Sequence, residues 1–257
     1  MTHEFGARQN ERYVSWRMLV DLPTAPDDVG ALWNELLDLA AEAPAPWVLI
    51  GAQMVALHAW RAAAEAPRLS RDGDVLVNVR SEPRGTELLA KHLDERGFEL
   101  EGPGRMGLGH EFRRGAVSID ILAPDNLGTR ASLRTLHQAR TVSVPGGTQA
   151  LARVETVDAR LGKRRGVIPI PNLHGAIILK AEAISVDDVP DAQRQDVGLL
   201  LSLVPDREAL KAQLSSGDRK LLRRYPEFAD SASSLYRDIT GAREAAATYR
   251  RLIGAER

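Results

Sequence analysis

The sequence predicts an α+β fold: a mixed sheet flanked by helices, followed by a helical C-terminal part. Three observations carry this. Short apolar runs bounded by proline or glycine alternate with amphipathic stretches over the first 170 residues. Asp-Gly-Asp and a lone aspartate open or interrupt two of those runs. After Pro171 the strand-like runs stop and only helix-like periodicity remains.

Taken in order, residues 1–26 are polar and mixed, and end in Pro23-Thr24-Ala25-Pro26. Asp27 or Asp28 can cap a helix carrying Leu32, Leu36, Leu37 and Leu39, and Pro44 and Pro46 stop it. Trp47 to Ile50 reads as a buried strand. Gly51 makes a tight turn, and Met54 to Ala64 reads as a helix ended by Pro67. Asp74 to Val79 is a valine-rich strand, and Thr86 to Arg96 an amphipathic helix closed by Gly97. Phe98 to Leu100 predicts a short strand, and the glycines between Gly102 and Gly109 a loop. Glu111 to Arg114 and Ala116 to Leu122 predict a hairpin turning near Gly115. Val154 to Arg160 and Gly166 to Ile170 predict another, joined by the basic turn Leu161 to Arg165.

Asn172 can cap a helix from Leu173 to about Ser185. Further helices are expected over Asp191 to Leu203, Leu210 to Leu214, Gly217 to Arg224 and Ser231 to Ile253. The expected division is an α/β domain over 1–170 and a helical domain over 171–257.

Composition narrows the function. The chain has 257 residues, 44% hydrophobic and 27% charged, as in a soluble globular protein. Its net charge of −1 provides no global field toward nucleic acid. Cysteine is absent, which excludes disulfides, thiolate zinc sites and cysteine nucleophiles. Met1-Thr2-His3-Glu4-Phe5-Gly6 lacks the apolar core of a signal peptide. No apolar run approaches the ~20 residues that span a bilayer. A cytoplasmic location without membrane association is expected.

Asp72 and Asp74 lie two apart, so in an extended segment both face one side of the sheet. Asp120 sits in Val117-Ser118-Ile119-Asp120-Ile121-Leu122, its isoleucine neighbours facing the other way. An acid in an apolar strand is costly to bury unless it is paired, hydrogen-bonded or bound to a cation. Three carboxylates converging on magnesium resolve that cost. The Gly51-Ala52-Gln53 turn opens a helix, whose free N–H groups suit phosphates. Ala52 leaves its N–H available but brings no hydroxyl. This set is what metal-dependent phosphoryl or nucleotidyl transfer requires. Each piece also has an ordinary reading: a turn, a surface Asp-Gly-Asp, an edge-strand acid. His58, Arg61 and His110 lie near these motifs. Lys163-Arg164-Arg165, Arg219-Lys220 and Arg223-Arg224 could hold an RNA backbone or simply be solvated faces.

The order Gly-Ala-Gln, Asp-x-Asp and a strand aspartate resembles the nucleotidyltransferase fold of the DNA polymerase beta superfamily. More narrowly, it resembles the AbiEii-type abortive-infection toxins. That branch adds a helical lysine, matched by Lys180 in Ile178-Leu179-Lys180-Ala181-Glu182-Ala183. It also adds a downstream acid, matched by Asp196 in Arg194-Gln195-Asp196-Val197-Gly198-Leu199-Leu200. The resemblance covers about Trp47 to Leu203. It implies an NTP substrate and Mg2+ bound by Asp72, Asp74 and Asp120. It also implies catalytic roles for Asp120, Lys180 and Asp196, and phosphate contact from Gly51, Ala52 and Gln53. The implied function is transfer of an NMP to tRNA or a protein hydroxyl by a toxin with a cognate antitoxin. The alternatives are transfer to a small, aminoglycoside-like molecule, and a catalytically weak protein that binds nucleotide or a partner.

Overall fold

The computed structural model describes residues 18–66, 70–102, 107–128 and 131–255. The N-terminal stretch 1–17, Pro67 and the middle of the glycine loop, 103–106, lie outside them.

A short strand β1 (Val20–Asp21) leads to helix α1 (Asp27–Glu42). Neither aspartate caps α1. Pro26 occupies the cap, and both acids lie in the first turn, where they suit the positive end of the helix. Leu32, Trp33, Leu36, Leu37 and Leu39 recur at three- and four-residue spacing and are all buried. Strand β2 (Trp47–Ile50) runs straight into helix α2 (Gly51–Arg61), earlier than Met54. Gly51 makes this possible by adopting φ +70°, a left-handed value that side chains oppose. Strand β3 (Asp72–Val77) includes both acids of Asp-Gly-Asp.

Helix α3 (Gly85–Glu95) is followed by Gly97 at φ +81° and strand β4 (Glu99–Leu100). Strands β5 (Glu111–Arg114) and β6 (Val117–Pro124) form the expected hairpin about Gly115. Strand β7 (Ser143–Val144), helix α4 (Gly147–Leu151) and β1 were not legible in the sequence. The second hairpin, β8 (Val154–Leu161) and β9 (Arg164–Pro171), is longer than expected, with Gly162 in its turn.

The main sheet has the order β2-β3-β6-β5-β4, with β7 pairing the end of β6. Strand β3 runs parallel to β6, and the β2–β3, β5–β6 and β4–β5 pairs are antiparallel. A smaller sheet has the order β1-β8-β9, and β9 lies against β2 and α1.

The strand-to-helix change falls at Pro171. Asn172 then caps α5 (Leu173–Ala183), accepting the Gly175 N–H at 3.0 Å. Helices α6 (Pro190–Ser202), α7 (Arg207–Gln213) and α8 (Ser216–Leu222) follow. The stretch from Ser231 to Ile253 is not one helix. Asp230 accepts the Ala232 N–H, a short 3-10 turn covers Ser234–Tyr236, and Gly241 takes φ +93° before α9 (Ala242–Ile253). Local side-chain bonds and the left-handed glycine outcompete helix continuity there. Helix α2 packs on both α5 and α6, and the buried apolar residues form one cluster through the front and back of the chain. Trp33 and Trp60 meet in it with ring centroids 5.7 Å apart.

Candidate active site

The alternation within Asp72-Gly73-Asp74 separates two jobs. On the α1 side, a Cβ at Gly73 would stand 3.1 Å from Leu32 Cδ1 and 3.3 Å from Leu36 Cδ2. A bare backbone lets α1 pack there, and Gly73 pairs with the fully buried Ile119. Asp72 and Asp74 therefore project from the opposite face. In the parallel β3–β6 ladder Asp74 is paired with Asp120, and Asp72 with Ser118. The three acids share one face on two adjoining strands, as their spacing implies.

Gly51 fits beside them. A Cβ there would stand 2.6 Å from Asp74 Cγ and overlap its carboxylate. The Asp74 carboxylate thus lies against the first turn of α2, where unpaired helix N–H groups favour negative charge. Gln53 points inward: its side chain is 1% exposed, and Nε2 donates to the Ser70 carbonyl at 2.6 Å.

Sequence reasoning missed Glu111. In the antiparallel β5–β6 pairing it lies directly across from Asp120. Glu111 Oε1 accepts from Ser118 Oγ at 3.3 Å and from Arg113, whose Nε pairs with Glu101 at 2.9 Å. The signal was available in the hairpin: a turn centred on Gly115 fixes the register that opposes residues 111 and 120.

This crowding has an electrostatic consequence. Burial pushes the Asp120 carboxyl up to about 7, with Asp74, Glu111 and Asp72 adding to the rise and Arg113 opposing it. Asp120 Oδ1 is buried without a hydrogen-bond partner. A strand acid with an orphaned oxygen, among other carboxylates, is what a cation or a proton would relieve. Among the described residues, no group of three or more His, Asp or Glu forms a ready metal cage. Magnesium typically uses one or two carboxylates plus substrate phosphates, so an open acid face fits it better than a closed cage.

Lys180 and Asp196 come together. Lys180 Nζ lies 2.9 Å from Asp196 Oδ2 and donates to Gln193 Oε1 at 3.0 Å. Both side chains are buried, so the pair ties α5 to α6.

Several of the secondary candidates are committed elsewhere. His58 is buried, and Nε2 donates to the Pro171 carbonyl at 2.9 Å. Burial, then Arg61, pushes its pKa down to about 3, so it is neutral. Arg61 pairs with Glu155 at 2.6 Å instead of reaching toward a phosphate. The His110 carbonyl accepts the Ile121 N–H at 2.8 Å, and its Nδ1 is buried without a partner. Among the basic groups, Arg164 pairs with Asp38, Arg219 donates to the Lys211 carbonyl and Arg223 to the Ile253 carbonyl. Lys163, Arg165, Lys220 and Arg224 are exposed.

No family model matches the chain, and no curated protein matches it in sequence. A solved structure does resemble it: an antigenic nucleotidyltransferase-like protein from Paracoccidioides brasiliensis. The two agree with a TM-score of 0.51 over 86% of this chain and 94% of that one, at 11% identity. The fold is nucleotidyltransferase-like. At that identity the likeness carries the architecture alone, and the narrower resemblance to AbiEii-type toxins is not reached by it. No helix among the described residues is long and apolar enough to cross a membrane.

Proposed function

We propose that the chain is a magnesium-dependent nucleotidyltransferase that moves a nucleoside monophosphate from an NTP to an acceptor hydroxyl. The observation that carries this reading is the cross-strand pairing of Asp74 with Asp120, beside Asp72 and against the Gly51 turn. Asp72 and Asp74 would hold magnesium at the triphosphate, and Asp120 would complete the cation site toward the acceptor. Magnesium, when bound, supplies neutralising charge for an in-line displacement. The N–H groups of the first turn of α2, at Gly51, Ala52 and Gln53, would receive phosphate oxygens. Asp120 takes the hydroxyl proton as the acceptor oxygen attacks the α-phosphorus and pyrophosphate leaves.

Lys180 and Asp196 act together in this reading. Their buried pair fixes α5 against α6, and α2 rests on both helices. They hold the phosphate turn in place.

The acceptor follows from the toxin resemblance: tRNA or a protein hydroxyl, with an antitoxin as regulatory partner. A second reading, transfer to a small cationic molecule, is favoured by one feature. Glu111 and Glu101 extend the row of acids past Asp120, with Arg113 as their shared cation. Such a row repels a polyanion and attracts amines.

The test is incubation with each α-32P-labelled NTP, with and without EDTA, plus total RNA, a protein lysate or an aminoglycoside panel. EDTA-sensitive labelling of one acceptor class supports the proposal and selects between its two readings. NTP binding without any labelled product would leave a nucleotide-binding protein and refute the transferase.

A further inference from the structure

We infer that Gln53 is a positioning residue for Asp72, acting through Ser70; this rests on the nucleotidyltransferase reading above. Asp72 is the first residue of β3, so the ladder holds it from one side only. It is exposed, whereas Asp74 and Asp120 are half-buried and lie within the ladder. Two hydrogen bonds supply what the sheet does not. Gln53 Nε2 donates to the Ser70 carbonyl at 2.6 Å, and the Asp72 N–H donates to Ser70 Oγ at 3.2 Å. The chain entering β3 is thereby tied to the first turn of α2, the element that carries the phosphate turn.

The state of the Gln53 amide points the same way. Its side chain is 1% exposed, and its Oε1 is buried without a partner. A buried amide with an idle acceptor is less stable than an apolar side chain of the same length. Only its donor end makes use of being polar, and that end holds Ser70. The tie sets the spacing between Asp72 and the Gly51 turn, and hence how well a cation can bridge acid and triphosphate.

The experiment is Mn2+ titration of the full chain by electron paramagnetic resonance, with thermal melting alongside. Gln53→Met keeps length and loses the donor. The dissociation constant for Mn2+ is expected to rise about three- to tenfold, the scale of one ordinary hydrogen bond. In an Asp72→Asn background the same change should weaken binding no further. Ser70→Ala removes the acceptor for the Asp72 N–H without touching the core and should weaken Mn2+ in the same direction, which serves if Gln53→Met does not fold. Wild-type Mn2+ affinity in both folded variants, or equal weakening in the Asp72→Asn background, overturns the inference while leaving the transferase reading intact. A wild-type chain that binds no Mn2+, or an Asp74→Asn variant that binds it normally, overturns both.

Discussion

Replacing Gly51 by alanine tests the contact on which the site turns. Two costs are expected, and they can be separated. The backbone holds φ +70° at Gly51, a left-handed conformation that costs an L-residue roughly 1–2 kcal/mol. The new Cβ would also stand 2.6 Å from Asp74 Cγ and overlap the carboxylate. Because the obstacle is the end of a side chain, Asp74 relieves it by rotating, at about 0.5–1.5 kcal/mol for an off-rotamer angle. Together these give about 2–3 kcal/mol, or a melting temperature lower by about 5–10 °C for a chain of this size. Gly162→Ala is the control. Gly162 also has a positive φ, +59°, but a Cβ there meets nothing within 4 Å. It should carry the backbone cost alone. The functional difference should be much larger than the stability difference. Gly51→Ala should lose Mn2+ binding and turnover because Asp74 has left its place, while Gly162→Ala keeps both. Calorimetry and Mn2+ titration on the three proteins decide it. Normal Mn2+ affinity in Gly51→Ala would refute the argument that this turn and Asp74 form one unit.

Asp120 sets a pH dependence whose sign is fixed. Its folded-state pKa, about 7, lies above the unfolded 3.8, so its contribution to stability is present below about 4 and lost as pH rises through 7. Without divalent cations, Asp120→Asn should melt above wild type at pH 8, and the gap should shrink steadily below pH 7 and close only near pH 4; a gap independent of pH would contradict the assignment. Lys180→Ala takes the ammonium away from a buried Asp196 and should cost about 3–5 kcal/mol, whereas Lys180→Met with Asp196→Leu should recover most of that stability in a denaturant titration. A mild Lys180→Ala phenotype would mean that the pair is not held in a dry interior. Arg224→Glu should weaken any tRNA binding and flatten the slope of log affinity against log salt by about 0.7 for each phosphate it no longer neutralises, leaving NTP binding unchanged. Arg223 is a poorer probe because its guanidinium is bonded to the Ile253 carbonyl.

What the sequence revealed, and what it hid, divides along physical lines. Parity along a strand and the turn preference of glycine are local, so the shared face of Asp72 and Asp74 and the turn at Gly51 were legible. The sequence marked Lys180 and Asp196 separately; their contact follows from two helices joined by a short turn. Glu111 was overlooked because its opposition to Asp120 depends on cross-strand register. Strand β1 was hidden for a stronger reason: its partner, β8, lies more than a hundred residues away, and two residues carry no periodicity. The expectation for Gln53 concerned its backbone N–H and said nothing of its side chain. Only the packing of α2 reveals that its side chain turns inward. The break before α9 follows from side-chain bonds that helix propensity does not register.

Strand β6 meets β3 on one side, β5 on the other, and β7 at its end. Local opening in proteins runs from fraying edges inward, and the most enclosed backbone opens last. The amides of Ile119 and Ile121, which flank Asp120, belong to that last-opening set, whereas β4 at the margin belongs to the first. Asp120 therefore sits on a strand paired on both sides, whose amides are expected to exchange slowly. The outer strand, with Glu99 and the approach to Glu101, is paired on one side only. If the proposed transfer holds, such a division would let the margin of the sheet vary without disturbing the central acids.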